Sequence, residues 1–287
     1  LGMEAGDIAL ALRAQIGEAN NLWIRGDVPA AKRRLNAVAR RARQSCPMVL
    51  PRVVLAIAGV ANASGEYERA IYLAFGLLGT VSREDEVRYQ TLVDLAAFLS
   101  DYGLPSVASA ALRLVETAAP EPQVRRHARL NLFFLAARHE EESAFTALRL
   151  ALANEPLTPR QQTQYALFAA QGFRRFAQFD AAQASAERAV HLANGFQLFQ
   201  FAFEAEAELR EIESVRSTLN RTRGARSGRS LAATNRRRAA DASVTTPYTP
   251  ETRTKIPPRI RRVAESIESM AAERFAVSSE LEMGAAL

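Results

Sequence analysis

The residues with the chemistry for catalysis do not form a recognisable active site in this sequence. His139 and Glu140 match the start of the zinc-protease motif, in which two histidines one helical turn apart hold the metal beside a catalytic glutamate. Position 143, where the second histidine belongs, is a serine. The other histidines, His127 and His191, fall on different predicted helices, and we interpret all three as surface or turn residues. The sequence therefore predicts no metal centre.

The single cysteine and the glycine-rich stretch also lack catalytic context. Cys46 precedes Pro47 at a predicted helix end, and no base is indicated that would activate it, so we interpret it as an inert thiol. One cysteine can form neither an internal disulfide nor a thiolate metal site. The run Gly-Ala-Arg-Ser-Gly-Arg from Gly224 lacks the Gly-Lys-Ser/Thr ending of a phosphate-binding loop. We predict that the protein is not an enzyme and needs no cofactor.

Arginine is concentrated towards the C-terminus. Residues 214–287 hold 14 Arg and Lys against 7 Asp and Glu, whereas residues 1–213 hold 23 against 24, so the net charge of +6 belongs to the C-terminal segment. A segment of this kind can bind polyanions by releasing counterions, without reading a base sequence. The alternative is a solvated linker. The candidate polyanion-binding residues are Arg221, Arg223, Arg226, Arg229, Arg236, Arg237 and Arg238.

A repeated pair of helices is predicted for the part of the chain that precedes the arginine-rich segment. Five segments share a turn followed, five positions later, by a small residue. Apolar residues stand four and seven positions after that small residue, and this spacing places all three residues on one helix face. A second helical pattern precedes each turn, and helix breakers follow each unit. One short helix pair cannot bury its own apolar face, so we expect the pairs to stack. The small positions are Ala31, Ala70, Ala108, Ala144 and Ala182.

The pattern resembles the tetratricopeptide repeat family, in the longer-spaced form found in regulatory proteins. The third copy is the closest match, with Ala96, Gly103 and Ala108 at the small, turn and alanine positions of that family. His139 and Ala177 stand where the family has glycine. The resemblance covers roughly residues 13–194 and implies a right-handed α-solenoid of about five antiparallel helix pairs. Another type of α-solenoid remains the alternative.

The resemblance also implies where a partner binds, because the family uses a concave groove lined mainly by its first helices. Amides there suit an extended peptide backbone, and arginines suit its carboxylates. The alternative is that these arginines only keep the helices soluble. For the single tryptophan, packing between helices is favoured over stacking on a ligand. The candidate groove residues are Asn20, Trp23, Arg52, Asn62, Gln90, Arg126, Arg129, Phe133, Gln164, Gln171 and Arg174.

The repeats are predicted to end in a capping helix followed by a tail. Residues 195 to about 216 form a helix with a Phe-rich first half, which we interpret as covering the fifth repeat, and a Glu-rich second half. A partner-binding or dimer face is the alternative. Residues 217–287 have the composition of a disordered segment. Within it, residues 259–275 have the pattern of an amphipathic helix, and docking in the protein's own groove would make it an autoinhibitor.

Together these patterns predict an all-α chain with a tetratricopeptide-like repeat domain at residues 1–216 and a disordered tail at residues 217–287. The longest uncharged apolar run, residues 53–63, is too short to cross a bilayer, so we expect a cytoplasmic protein with no membrane partner. The predicted function is a non-enzymatic scaffold that binds a protein or peptide in its groove. The alternative is the sensory part of a longer transcriptional regulator, which contacts nucleic acid through the tail or a preceding domain.

Overall fold

The chain is α-helical in the computed structural model, which describes residues 2–82, 86–226 and 256–285. No β-strand occurs in these ranges, and successive helices pack within each of two compact units, which confirms the expected all-α fold class. The first unit comprises residues 1–132 and 254–287, and the second comprises residues 133–253. The helices are α1 (Gly2–Ile24), α2 (Val28–Ser45), α3 (Leu50–Ala63), α4 (Tyr67–Leu78), α5 (Glu86–Tyr102), α6 (Pro105–Ala118), α7 (Pro122–Arg138), α8 (Glu142–Ala153), α9 (Pro159–Arg175), α10 (Phe179–Gly195), α11 (Phe199–Arg226) and α12 (Pro258–Ala285).

The odd-numbered helices from α1 to α9 are the first helices of their pairs, and the even-numbered helices from α2 to α10 are the second helices. In the first unit, α1 to α6 pack in chain order, and α3 also contacts the first helices α1 and α5. A continuous apolar core joins α1, α2 and α3 through Leu12, Leu35, Val38 and Val53, each 1% exposed or less. This packing is the one expected when the apolar face of each helix pair is covered by a neighbouring pair.

Every helix pair closes through the same tight turn. A residue with positive φ follows the first helix, and the next N–H reaches the carbonyl five positions back, as from Asp27 to Leu22 at 2.9 Å. This is the Schellman arrangement, which pairs carbonyls that a helix end would otherwise leave unsatisfied. The same bond joins α10 to α11. The positive-φ residues are Gly26, Gly65, Gly103, Glu140, Ala177 and Gln197.

The predicted column of small residues is present, with an error of one position in the fourth pair. The turn residue there is Glu140 rather than His139, and the buried residue five positions later is Phe145 rather than Ala144. No glycine marks this turn, and Ala144 next to the buried Phe145 offered a small residue in the neighbouring register. The other four positions are each 0% exposed: Ala31, Ala70, Ala108 and Ala182.

A cluster of aromatic rings lies in the core of the second unit. Phe145 stacks on Phe133 with 4.6 Å between ring centroids and meets the ring of Phe173 edge-on at 5.5 Å. Phe133 is 0% exposed, so its prediction as a groove residue was wrong, because α7 directs this side chain into the core. A β-carbon placed on Gly172 would lie 2.1 Å from Phe145 Cε2, so only glycine leaves room for the ring at this position.

The helix α11 differs from the predicted cap in how it is oriented. It packs against α9 and α10, and its buried residues include Ala202, Ala205 and Ile212. Phe199 and Phe203 are instead 74% and 67% exposed. The prediction that the phenylalanines cover the fifth repeat was therefore wrong for these two residues. The face of α11 that carries the buried alanines packs on the repeat, and Phe199 and Phe203 lie on a different face.

The predicted tail contains more helix than the sequence indicated. The helix α11 continues to Arg226, ten residues beyond the expected end at Arg216, and no proline interrupts it. The amphipathic segment forms α12, which begins at Pro258 and extends past the predicted end at residue 275. The helix α12 belongs to the first unit and packs against α4 and α6. Residues 227–255, the centre of the predicted disordered tail, lie outside the described residues.

Candidate functional site

The residues considered for catalysis do not converge on a common site. Among the described residues, no three His, Cys, Asp or Glu side chains lie close enough together to hold a metal ion. Cys46 is buried in the apolar core of the first unit. His139 lies at the α7–α8 turn, where burial and the charge of Arg138 lower the pKa of its imidazole. The segment that matched a zinc-protease motif thus forms a helix-connecting turn.

Two candidate groove residues of the first unit are held by side chains of a neighbouring helix. Asn62 of α3 donates through Nδ2 to Asp101 Oδ2 of α5 at 2.8 Å. Arg129 of α7 donates through Nε to Glu116 Oε1 of α6 at 2.6 Å. Gln90, by contrast, bonds to an aspartate one turn further along its own helix. The Asn62–Asp101 bond therefore links two successive first helices, which is the surface that the groove hypothesis requires.

Four buried side-chain atoms have no hydrogen-bond partner within the described part of the chain, and all of them lie on or beside the first helices of the first unit. They are Asn62 Oδ1 on α3, Ser100 Oγ on α5, Arg126 Nε on α7 and Glu121 Oε2 just before α7. Buried polar atoms are nearly always paired, because leaving one unpaired costs about 1–3 kcal/mol. These helices therefore carry polar groups whose pairing the described residues do not complete.

The remaining candidates of the first unit lie nearer its start. Trp23 is half-buried and packs against the core of α1, α2 and α3, which supports packing rather than ligand stacking as its role. Asn20 is half-buried on α1. Arg52 is exposed in the first turn of α3. Of these three, Arg52 presents a charge to solvent.

In the second unit, the candidate arginine is engaged in an ion pair. Arg174 of α9 donates to both carboxylate oxygens of Glu208 on α11, at 2.5 and 3.3 Å, and the two side chains are 19% and 8% exposed. Glu211 places a second carboxylate 3.9 Å away. A bidentate pair of this kind fixes α9 against α11, so its evident role is structural. Gln164 and Gln171 lie half-buried on the same α9.

Other arginines on the first helices close the ends of the preceding helices. Arg88 of α5 donates to the carbonyl of Leu78, the last residue of α4, at 2.8 Å. Arg125 of α7 donates to the carbonyl of Ala119, just past α6, at 2.7 Å. A cation at a helix C-terminus pairs free carbonyls and opposes the helix dipole. Part of the arginine content of the repeats is therefore used in holding neighbouring helices together.

The residues that sequence reasoning missed are the partners of the candidates. Asp101, Glu116 and Glu208 each accept a hydrogen bond from a side chain between 13 and 39 positions away. The spacing of charges on one helix does not indicate which residue of another helix they face. A partial signal existed only for Glu208, which lies in the acidic half of α11 that the sequence makes visible.

The first unit also contains an open cleft of about 340 Å³, lined by Glu18, Asn21, Leu22, Arg25 and Arg34. Arg34 and Glu18 form an ion pair across it. Sites for small molecules bury most of their ligand, whereas four of these five lining residues are exposed at the surface. We therefore assign this cleft no ligand.

The predicted polyanion-binding arginines fall partly beyond the structure. Arg221, Arg223 and Arg226 lie on the last turns of α11, and the other four, Arg229, Arg236, Arg237 and Arg238, lie outside the described residues. Within the described helices, none has both the length and the apolar character needed to cross a membrane. Comparison of the chain with protein-family models, with curated proteins and with solved structures finds no match.

Proposed function

We propose that the protein is a non-enzymatic scaffold of the tetratricopeptide type that binds a protein or peptide partner on the first helices of its first unit. The proposal is supported by the repeated helix pair, the common Schellman turn and the contacts between successive first helices. The surface concerned includes α3 and α5, which contact each other, and the start of α7. Its polar residues include Arg52, Asn62, Ser100 and Arg126.

The observation that carries this proposal is the set of buried polar atoms without partners on those helices. Asn62 Oδ1 is an acceptor, and Ser100 Oγ and Arg126 Nε are donors. A peptide backbone offers both N–H and C=O groups, which are the kinds of partner that these atoms lack. Asn62 and Arg126 are half-buried as residues, so parts of both side chains reach the surface. A ligand that paired these atoms would offset the cost of leaving them unpaired.

Two arginines of this surface favour an acidic ligand, although Asp101 and Glu121 carry the opposite charge on or beside the same helices. Arg52 and Arg126 lie near the beginnings of α3 and α7, and an arginine guanidinium binds a carboxylate with two parallel hydrogen bonds. We therefore propose an extended peptide segment that carries acidic side chains. The acceptor already bonded to Asn62, Asp101 Oδ2, holds the amide plane in place and limits how the ligand backbone can lie.

The test is capture of partners by the full-length protein with two matched variants. The variant Arg52→Glu/Arg126→Gln alters the proposed surface, and Arg33→Glu/Arg40→Gln makes the same change in charge at exposed positions of the second helix α2. We expect the native protein and the α2 variant to recover the same protein partner and the first-helix variant to lose it, with unchanged circular dichroism in all three. Recovery of the partner by all three proteins, or of nuclease-sensitive nucleic acid alone, contradicts the proposal.

A further inference from the structure

The helix α12 packs against helices that lie more than a hundred residues earlier in the chain. It contacts α4 and α6 of the first unit, whereas α1 to α6 pack in chain order. Both α4 and α6 are second helices, so α12 lies mainly on second helices, and only Arg88 at the start of the first helix α5 is seen to reach it within the described residues. The expectation that this helix docks in the groove as an autoinhibitor is therefore not met, because the surface that accepts its apolar side is on the second helices.

The contact is made by a narrow apolar stripe. Ile260, Val263 and Ile267 are 3% exposed or less, and Ala271 is 5% exposed. Their spacing of three, four and four positions places them on one helix face. The residues around the stripe are exposed, and most of them are charged: Arg259, Arg261, Arg262, Glu265, Glu268, Glu273 and Arg274. The α4–α6 face thus selects a helix by its aliphatic stripe.

One polar contact adds to this selection. The Nη2 group of Arg88 lies 3.9 Å from the sulfur of Met270, next to the stripe on α12. The same guanidinium donates through Nη1 to the carbonyl of Leu78 at the end of α4, which fixes its position. The site therefore has an apolar floor and a positioned cation at its edge, where the occupant places a polarisable thioether.

The helix α12 has little to stabilise it away from this site. Arg259, Arg261 and Arg262 stand at the positive end of the helix dipole, and the first turn contains no acidic residue to offset them. An isolated helix with one apolar stripe is marginal in water.

We infer that the α4–α6 face is a second binding site, whose ligand is an amphipathic helix of a partner protein with branched aliphatic residues at positions i, i+3 and i+7 and a small residue at i+11. The helix α12 is its resident occupant, and a partner helix of this pattern displaces it. This mode is a helix in an apolar groove. The main contacts of α12 are with the second helices α4 and α6, and Arg88 at the start of α5 is its contact with a first helix.

The test measures binding of a fluorescent synthetic peptide of residues 256–274 to full-length proteins by anisotropy. In the variant Ile260→Asp/Ile267→Asp the resident helix no longer competes, so we expect it to bind the peptide at least about tenfold more tightly than the native chain. The control Arg261→Asp/Ser269→Asp introduces the same residue at exposed positions of α12 and should bind as the native chain does. Equal affinity of all three proteins overturns the inference.

A second measurement uses the native chain and does not depend on how the variants fold. With ¹⁵N-labelled protein and saturating unlabelled peptide, amide hydrogen exchange of α12 should accelerate while α4 and α6 remain protected. Unchanged exchange of α12 under these conditions overturns the inference. Light scattering tests for a different occupant. If the native protein forms a stable dimer and the Ile260→Asp/Ile267→Asp variant does not, the site belongs to α12 of a second copy, and the inference is contradicted.

Discussion

Replacing Gly172 with alanine tests the packing of the second unit, because helix propensity and the structure predict opposite signs. In a helix interior alanine is favoured over glycine by about 1 kcal/mol. At this position, however, the β-carbon would lie 2.1 Å from Cε2 and 2.5 Å from Cζ of Phe145. Non-bonded carbon atoms attract each other at about 3.5–4.0 Å and repel steeply below that distance. Either the ring or the helix backbone must therefore move.

Phe145 has little room to yield. It is 1% exposed, and its ring centroid lies 4.6 Å from that of Phe133, 5.2 Å from that of Phe176 and 5.5 Å from that of Phe173. Adding a methyl group to a well-packed core costs about 1–3 kcal/mol, and the direct overlap here places the cost in the upper part of that range. After subtracting the gain in propensity, we expect Gly172→Ala to lower the free energy of unfolding by about 1–2 kcal/mol.

Urea denaturation followed by circular dichroism measures this change. The matched control is Gly59→Ala inside α3, where nothing lies within 4 Å of the β-carbon position, so we expect stabilisation by about 0.5–1 kcal/mol. Replacing Phe145 with leucine as well should reduce the cost of the alanine at position 172, because the overlapping ring atoms are gone. Stabilisation of the protein by both single alanine substitutions would refute the packing described for Phe145.

Three further predictions concern pairing, burial and turns. Glu208→Ala removes the acceptor of the mostly buried Arg174, so urea denaturation should show the free energy of unfolding lowered by about 3 kcal/mol. Asp180 forms an ion pair with Arg216 but is 96% exposed, so Asp180→Ala should change the free energy of unfolding by less than about 0.5 kcal/mol. Burial raises the pKa of Glu204, which disfavours the ionised form in the folded state, so Glu204→Gln should stabilise the protein at pH 7. This advantage should shrink as the pH falls through the raised folded-state pKa and be gone once the pH is below the unfolded-state value of about 4.3. Thermal denaturation should show Ala177→Gly, at φ 59°, to be stabilising and Gly65→Ala, at φ 78°, to be destabilising, each by about 1 kcal/mol.

The repeat could be predicted from the sequence because its signals are local. Gly26, Gly65 and Gly103 mark positive-φ turns that few other residues adopt, and the buried alanine follows each at a fixed distance. In the fourth pair the turn is made by Glu140, which carries no such signal. An alanine next to the buried position, Ala144, then set the wrong register. Local patterns thus determined the fold wherever a glycine stood at the turn.

The candidate site was less accessible to sequence reasoning, because its properties arise between helices. The sequence identified Asn62 and Arg174 as surface polar residues but not their partners Asp101 and Glu208. The sequence also showed most of the stripe of α12, through Ile260, Val263 and Ile267, but pointed to Met270 where Ala271 is the buried residue. The surface on which α12 docks could not be predicted. The residues that cover a second helix can come from any distance along the chain, as the packing of α12 on α6 shows.

The central claim is that a protein partner binds on the first helices of the first unit. Its most direct test is the affinity of the recovered partner, measured by calorimetry, for the native protein, Arg52→Glu/Arg126→Gln and Arg33→Glu/Arg40→Gln. The proposal predicts a loss of at least about tenfold, which corresponds to roughly 1.4 kcal/mol, for the first-helix variant and no loss for the α2 variant. Equal affinity of the partner for all three folded proteins would contradict it.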